Sequence, residues 1–299
     1  MKNLIYFILF AAILFTSCNG DNLSKDIATE RLYSPLISEM SNFNDSLMQI
    51  CSKTRAYRGS LDYTAVACAD VGGMYAGGKA GAWLGSWIGH PHVGAGIGAL
   101  VVGAYSSYRA HRIIMDTRAG VPSVELEPID VAAAYIQILK DESLISENTL
   151  HEIKLNFKNV DKDIVESGPK HNIIVKNLQN KCFAPFEEVK KYLSEDEITI
   201  LKSDEFTALF DSIDRRSDII LLNNNTQLSK EKVIPDQLMK LFTDILQKYS
   251  DKADDVEFII NRYIEAVENT SELSQDDKNI ILKSLSVAAS SFELWRKQE

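Results

Sequence analysis

The chain has 299 residues, 32 basic and 42 acidic side chains, and 15 glycines. A length of this order supports one large or two small domains with a sizeable core. The acidic balance excludes general nucleic-acid binding, which needs clustered Lys and Arg against phosphate.

In chain order, the first feature is a targeting segment. Lys2 supplies a positive start, Leu4 to Phe15 is almost uninterrupted apolar sequence, and Thr16 and Ser17 place small residues before Cys18. This is the layout of a secretory signal peptide, with an apolar stretch short for a spanning helix. Leu14-Phe15-Thr16-Ser17-Cys18 resembles the lipobox of bacterial lipoproteins. The resemblance implies that residues 1–17 are removed and that Cys18 carries diacylglycerol, often with an acylated amine (palmitate, for example). It also implies membrane lipid as a partner and attachment at the cell envelope, with the bacterial outer membrane the expected place. The mature chain would carry a net charge of −11. Cys51, Cys68 and Cys182 then remain, an odd set that gives no disulfide framework. A local Cys51–Cys68 pair and buried free thiols are the alternatives.

From residue 18 to 70 the pattern is polar and helical. Ile37, Met40, Leu47, Ile50 and Cys51 stand at near-helical spacing, interrupted by Asn42-Phe43-Asn44-Asp45. This zone reads as the connection between anchor and body.

Residues 71–108 are the most distinctive part. Eleven of the 15 glycines lie between Gly72 and Gly103, and Lys79 is the one Lys, Arg, Asp or Glu among them. Gly73, Gly77, Gly81, Gly85 and Gly89 recur every fourth residue, and Gly94 and Gly98 repeat the spacing beyond His90-Pro91-His92. On a helix that period makes one stripe, and a stripe without side chains admits a second helix to backbone contact. Each interior glycine costs up to about 1 kcal/mol of helix propensity, so the pattern predicts a partner helix. His90, preceding proline, ends the first helix near Gly89. The expected unit is a hairpin of Val71–Gly89 against Val93–Tyr108. Gly78, off the stripe, is expected to tolerate a methyl group. The segment resembles the glycine-zipper hairpins of bacterial envelope proteins. Three settings fit it: burial in a soluble body, membrane insertion, and self-association. Val71–Gly89 would span about 28 Å at 1.5 Å per residue, near the hydrocarbon thickness, but Lys79 in mid-helix would cost about 2.5–3.5 kcal/mol there, as insertion scales assign to a central cation.

Residues 121–299 read as a soluble all-α domain after a proline-bounded linker, Val121 to Pro128. Ser194 and Glu197 have capping-box spacing, and Ser274 with Asp277 marks another helix start. Leu238, Leu241, Phe242, Ile245, Leu246 and Tyr249 form one apolar stripe, and Val256, Ile259, Ile260, Tyr263, Ile264 and Val267 a second. No period-2 run is long enough to predict a strand. The fold class is therefore all-α, a Gly-rich helical hairpin plus a multi-helix body.

Chemistry is sparse. His151-Glu152 lacks the second histidine of a zinc helix, His90-Pro91-His92 reads as a polar turn, and no glycine lies in the β-α frame of a dinucleotide site. No metal, cofactor or catalytic residue is expected, and the chain reads as non-enzymatic. Gly168-Pro169-Lys170-His171-Asn172 resembles a Gly-x-x-His-Asn element that follows glycine-rich segments in bacterial envelope proteins; the resemblance implies no activity. It is expected to end one helix and cap the next, and His171 and Asn172 are the candidate polar site. Three function classes stay open: a lipid-anchored scaffold or interaction protein binding an envelope protein or itself, a membrane-active protein of pore-forming or toxin/immunity type, and an enzyme or ligand binder built from scattered residues.

Overall fold

A computed structural model describes residues 34–54, 62–87, 89–119, 128–140, 143–147, 150, 152–180, 184–208, 233–249 and 252–296. The signal peptide, Cys18, the linker at 121–127 and Cys182 lie outside the described residues, and so does the side chain of Cys51. The fold is all-α: α1 (Pro35–Thr54), α2 (Asp62–Trp87), α3 (Pro91–Ala119), α4 (Pro128–Lys140), α5 (Ser143–Glu147), α6 (Lys162–Asn180), α7 (Phe186–Val189), α8 (Glu195–Leu201), α9 (Val233–Tyr249), α10 (Ala253–Asn269) and α11 (Gln275–Arg296), with a 3-10 turn at Lys190–Tyr192. No strand occurs among the described residues.

The hairpin α2–α3 stands at the centre, its two helices packed on each other more extensively than any other pair. Glycine backbones make that contact. A Cβ on Gly81 would lie 2.7 Å from the carbonyl carbon of Gly94 and closer still to its oxygen, and one on Gly94 would strike the carbonyl of Gly81 in return. Gly77 and Gly98 form the same reciprocal pair, Gly94 also meets Gly85 Cα at 2.9 Å, and Gly73 faces Ser106. The α-hydrogen in each Cβ position therefore points at a facing carbonyl, a weakly favourable Cα–H···O geometry.

The hairpin differs from its expected outline in three ways. Both arms are longer, because Thr64, Ala65, Val66 and Ala67 already belong to the buried helix before the stripe begins, and Tyr108 and Ala110 continue the core after it. Proline at the first helical position costs no hydrogen bond, so α3 starts at Pro91 rather than Val93. Gly89 touches nothing across the interface. It ends α2 in a left-handed turn (φ 82°), with Gly89 N bonded to Ser86 O and His90 N to Gly85 O. This is a Schellman cap, a position that favours glycine for its φ and not for its size.

Most of the hairpin's outer surface is covered by the body, although Trp83 near its tip is exposed. α11 lies along α2, α6 packs on α3, and α9 closes on α2. Lys79 bridges to α9 through Asp236 at 2.6 Å and sits over the Tyr75 ring, whose hydroxyl donates to the same carboxylate at 2.7 Å. The residue that penalises membrane burial is thus neutralised inside the protein. No helix among the described residues is long and apolar enough to cross a membrane.

The three sequence zones share one continuous core. Leu36, Met40 and Leu47 of α1 join it, as do both apolar stripes and α11. α1 runs unbroken through Asn42–Asp45 because Asn44 is buried as a bridge: its amide donates to Leu241 O (2.8 Å) and its carbonyl accepts from Tyr263 (3.1 Å). Cys68 is a free buried thiol, pushed up to about 12 by burial and then by Asp70 and Asp244; no Cys51–Cys68 disulfide forms. Ser194 and Glu197 complete the capping box, and Ser274 caps α11 through Asp277 N.

One segment breaks the helical pattern. Residues 153–158 alternate between inward Ile153, Leu155 and Phe157 and exposed Lys154, Asn156 and Lys158, the burial pattern of an extended strand. α10 and α11 hold this strap by side chains. Lys154 N donates to Glu257, Asn156 N to Asn261 and Lys158 N to Glu268, while Asn261 donates back to Lys154 O. Buried Glu293 accepts from both Glu152 N and Ile153 N. Two residues of extended chain advance about 6.6 Å and four residues of helix about 6 Å, so the Lys154–Asn156 step matches the Glu257–Asn261 step.

Glycine substitutions should rank by these contacts. Gly96 has open space at its Cβ position, whereas a Cβ on Gly78 meets Ile280 of α11 at 3.1 Å, so Gly78 is more crowded than its place off the stripe suggests. Gly96→Ala should be neutral or up to about 1 kcal/mol more stable through helix propensity. Gly78→Ala should fall below it, and Gly81→Ala should lose about 1–3 kcal/mol or more by forcing two backbones apart. Urea denaturation of the three variants would check the order; equal tolerance at Gly81 and Gly96 would contradict the backbone contact.

Candidate functional site

The polar residues of the interior converge where α2, α3, α6 and α11 meet. α6 reaches that point through an unusual turn. Gly168 to Asn172 neither ends a helix nor caps one; it lies within α6, with Pro169 inside the helix. Proline has no N–H for the carbonyl four residues back. That carbonyl, Val165 O, instead accepts from Ser286 Oγ of α11 (3.1 Å), and the same hydroxyl accepts from Gly168 N (3.1 Å). Gly168 permits the approach, since a Cβ there would lie 2.8 Å from Ser290 Cβ and closer to the Ser286 carbonyl. A serine of one helix thus repairs the break in another, and α6 continues.

One turn on, His171 and Asn172 point inward. The Asn172 amide donates to Ser290 O at 2.8 Å, and its oxygen faces His171 Nδ1 at 3.3 Å. His171 Nε2 lies 3.9 Å from Asp70 Oδ2 of α2, too far for a hydrogen bond. Asp70 Oδ2 accepts from Ser291 Oγ and from Trp295 Nε1 (3.2 Å), and Trp295 stacks on His111 at 4.3 Å between ring centres. Ser107 of α3 stands beside the carboxyl without completing a well-formed bond. Among the described residues, Asp70 Oδ1 and His171 Nε2 have no hydrogen-bond partner.

Burial dominates the electrostatics. Asp70 and His171 are both fully enclosed, at 0% exposure. Burial pushes the Asp70 carboxyl up to about 7, against the opposing pull of Ser291, Ser107 and Trp295. It pushes His171 down to about 4, with the Asn172 side chain and the Gly103 backbone acting the other way. Between those values both groups are uncharged, which is how an unpaired acid and base can share an apolar interior.

Asp, His and Ser meet here, but not in the order of a nucleophilic triad. Ser291 donates directly to Asp70, and the histidine does not stand between them. The two described surface depressions, of about 320 and 210 Å³, are lined by residues of the strap, α1, α9 and α10 and lie away from this centre. The arrangement can instead fix the register of four helices, because the bonds from Ser286 to Val165 O, from Asn172 to Ser290 O and from Ser291 and Trp295 to Asp70 form in one alignment only.

His171 and Asn172 therefore belong to one cluster, separate from the glycine contact and beside it. Asp70, Ser107, Ser291 and Trp295 were not singled out in the sequence. A signal existed for Asp70, an isolated acid among small apolar residues just before the glycine stripe, and for the serines that crowd α11 between Ser284 and Ser291. No group of three or more His, Cys, Asp or Glu suited to a metal occurs among the described residues. The chain matches no protein-family model, no curated protein and no solved structure.

The two shifted groups act oppositely on stability. Folded Asp70 holds its proton more tightly than the unfolded chain, so its contribution is lost as pH rises from about 4 to about 7. His171 binds a proton more readily when unfolded, so its contribution is lost as pH falls from about 6.5 to about 4. The slopes largely cancel in the wild type. Relative to it, Asp70→Asn should gain stability with rising pH across this window, and His171→Asn should lose it, each by on the order of 3 kcal/mol. Denaturant titrations at pH 4.5, 5.5 and 6.5 would read both signs; parallel curves for all three proteins would rule out the buried pair.

Proposed function

We propose that this is a lipid-anchored protein of the bacterial cell envelope whose helical body works as a scaffold or interaction module. The observation that carries this reading is the enclosure of the glycine hairpin. Its apolar faces are largely covered by α6, α9 and α11, with Trp83 near the tip exposed, and its one central cation is held by Asp236. The hairpin then serves as the body's internal spine, and the working surface is the outside of the surrounding helices. The lipobox-like sequence ending at Cys18 supports the anchor. Asn19 to Asn22 supplies a polar tether between lipid and body.

The membrane-active alternative requires the hairpin to leave its sheath. That would break the Lys79–Asp236 pair and strip Asp70 of Ser291 and Trp295. It would also carry the Lys79 ammonium and the Asp70 carboxyl into hydrocarbon.

The wild type should partition with detergent and take up lipid label, and Cys18→Ala should lose both, since two or three acyl chains hold firmly where none remain. Protease shaving with crosslinking to neighbours would then identify the partner in place. Lipid label surviving in Cys18→Ala would reject the anchor. Dye release from anionic liposomes by the wild type, but not by a variant with the hairpin crosslinked to α9, would favour the alternative.

A further inference from the structure

The strap over residues 153–158 has one paired edge and one free edge. In an extended chain successive N–H and C=O groups point to opposite sides. The groups of Lys154, Asn156 and Lys158 point to α10, where Glu257, Asn261 and Glu268 take them. Leu155 and Phe157 must present theirs on the other side, and among the described residues neither makes a backbone hydrogen bond. A strand edge of this kind is a template for pairing with another extended chain. It is also held rigidly, because side chains from α10 fix its opposite edge, while Ile153 at its start is sunk into the core and donates its N–H to Glu293 of α11.

Charge narrows the partner. Lys154 and Lys158 stand on the exposed face, two and six residues from Glu152, and among the described residues neither ammonium forms an ion pair. The nearby acids are occupied: Glu152 by Arg296, Glu257 and Glu268 by strap N–H groups, and Glu265 by Arg262. A second copy of the strap laid alongside would bring lysine toward lysine, which opposes self-pairing.

We propose that this strap is a docking edge for an extended acidic peptide, which adds as a β-strand along Leu155–Phe157 and sets carboxylates against Lys154 and Lys158. The proposal names a partner class for the interaction role given above. It does not depend on the lipid anchor, so a failure of either can be told from a failure of the other.

The test uses the full chain in detergent and three synthetic peptides of about ten residues, near the usual upper length of a strand. One alternates Glu with Val, one alternates Lys with Val, and one is the Glu–Val peptide N-methylated at every second residue. Fluorescence anisotropy should show the Glu–Val peptide binding at least about tenfold more tightly than the Lys–Val peptide at low salt, with the preference fading as salt rises. The N-methylated peptide should not bind along its blocked edge. Amide exchange at Leu155 and Phe157 should slow with the Glu–Val peptide alone, and Lys154→Glu with Lys158→Glu should invert the charge preference. Equal binding of methylated and unmethylated peptides, or no binding and unchanged exchange up to about 1 mM, would overturn the proposal and leave the lysines as guards that keep the edge unpaired.

Discussion

The contact of Gly77 and Gly81 with Gly98 and Gly94 sets the distance between α2 and α3, and the rest of the body is arranged around that distance. With backbone against backbone at these four glycines, the two helices act as one thin unit. Where larger residues enter this contact they lie against a glycine, Val102 on Gly77 and Met74 on Gly103, and Leu84, Leu100 and Val101 are buried as well. The propensity lost at each glycine is offset by backbone contact on one face and by ordinary apolar burial on the other.

A second close approach, between α6 and α11, follows the same logic with different residues. Gly168 removes bulk, and Ser286 and Ser290 replace larger side chains. The hydroxyl of Ser286 also supplies what Pro169 takes away. The two approaches meet at Asp70 and His171. Small residues bring four helices close enough that a carboxyl, an imidazole, an indole and a serine hydroxyl must share one dry space. The shifts of Asp70 and His171 in opposite directions follow from that crowding, since each group resists charge where water is absent.

The outer layer has a different character. Exposed carboxylates and amides on α10 are not idle surface: Glu257, Asn261 and Glu268 read the backbone of the strap much as a neighbouring strand would. A closely packed interior thus sits beneath an outer layer whose side chains hold a segment of extended chain. The anchor at Cys18, if formed, would hold that surface near a membrane without requiring any part of the folded body to enter it.

The sequence by itself determined the helical class, the apolar stripes of α9 and α10, the cap at Ser194, and the fourfold glycine repeat that demands a close helix. These are local or periodic properties, carried by propensity and spacing along one element. The alternation at Ile153, Leu155 and Phe157 was equally legible, but three apolar residues without a pairing sheet do not distinguish a strand from a loop. Only the tertiary structure decided that Gly89 caps rather than packs, that Asn44 is buried, and that Pro169 lies inside a helix. Each depends on an atom distant in sequence: Gly89 on where the partner helix begins, Asn44 on Tyr263, and the Pro169 turn on Ser286. Asp70 and His171 are separated by a hundred residues of chain, and no periodicity within either helix records that they face one another. Their proximity arises from packing, because glycine and serine at two other interfaces let four backbones come near.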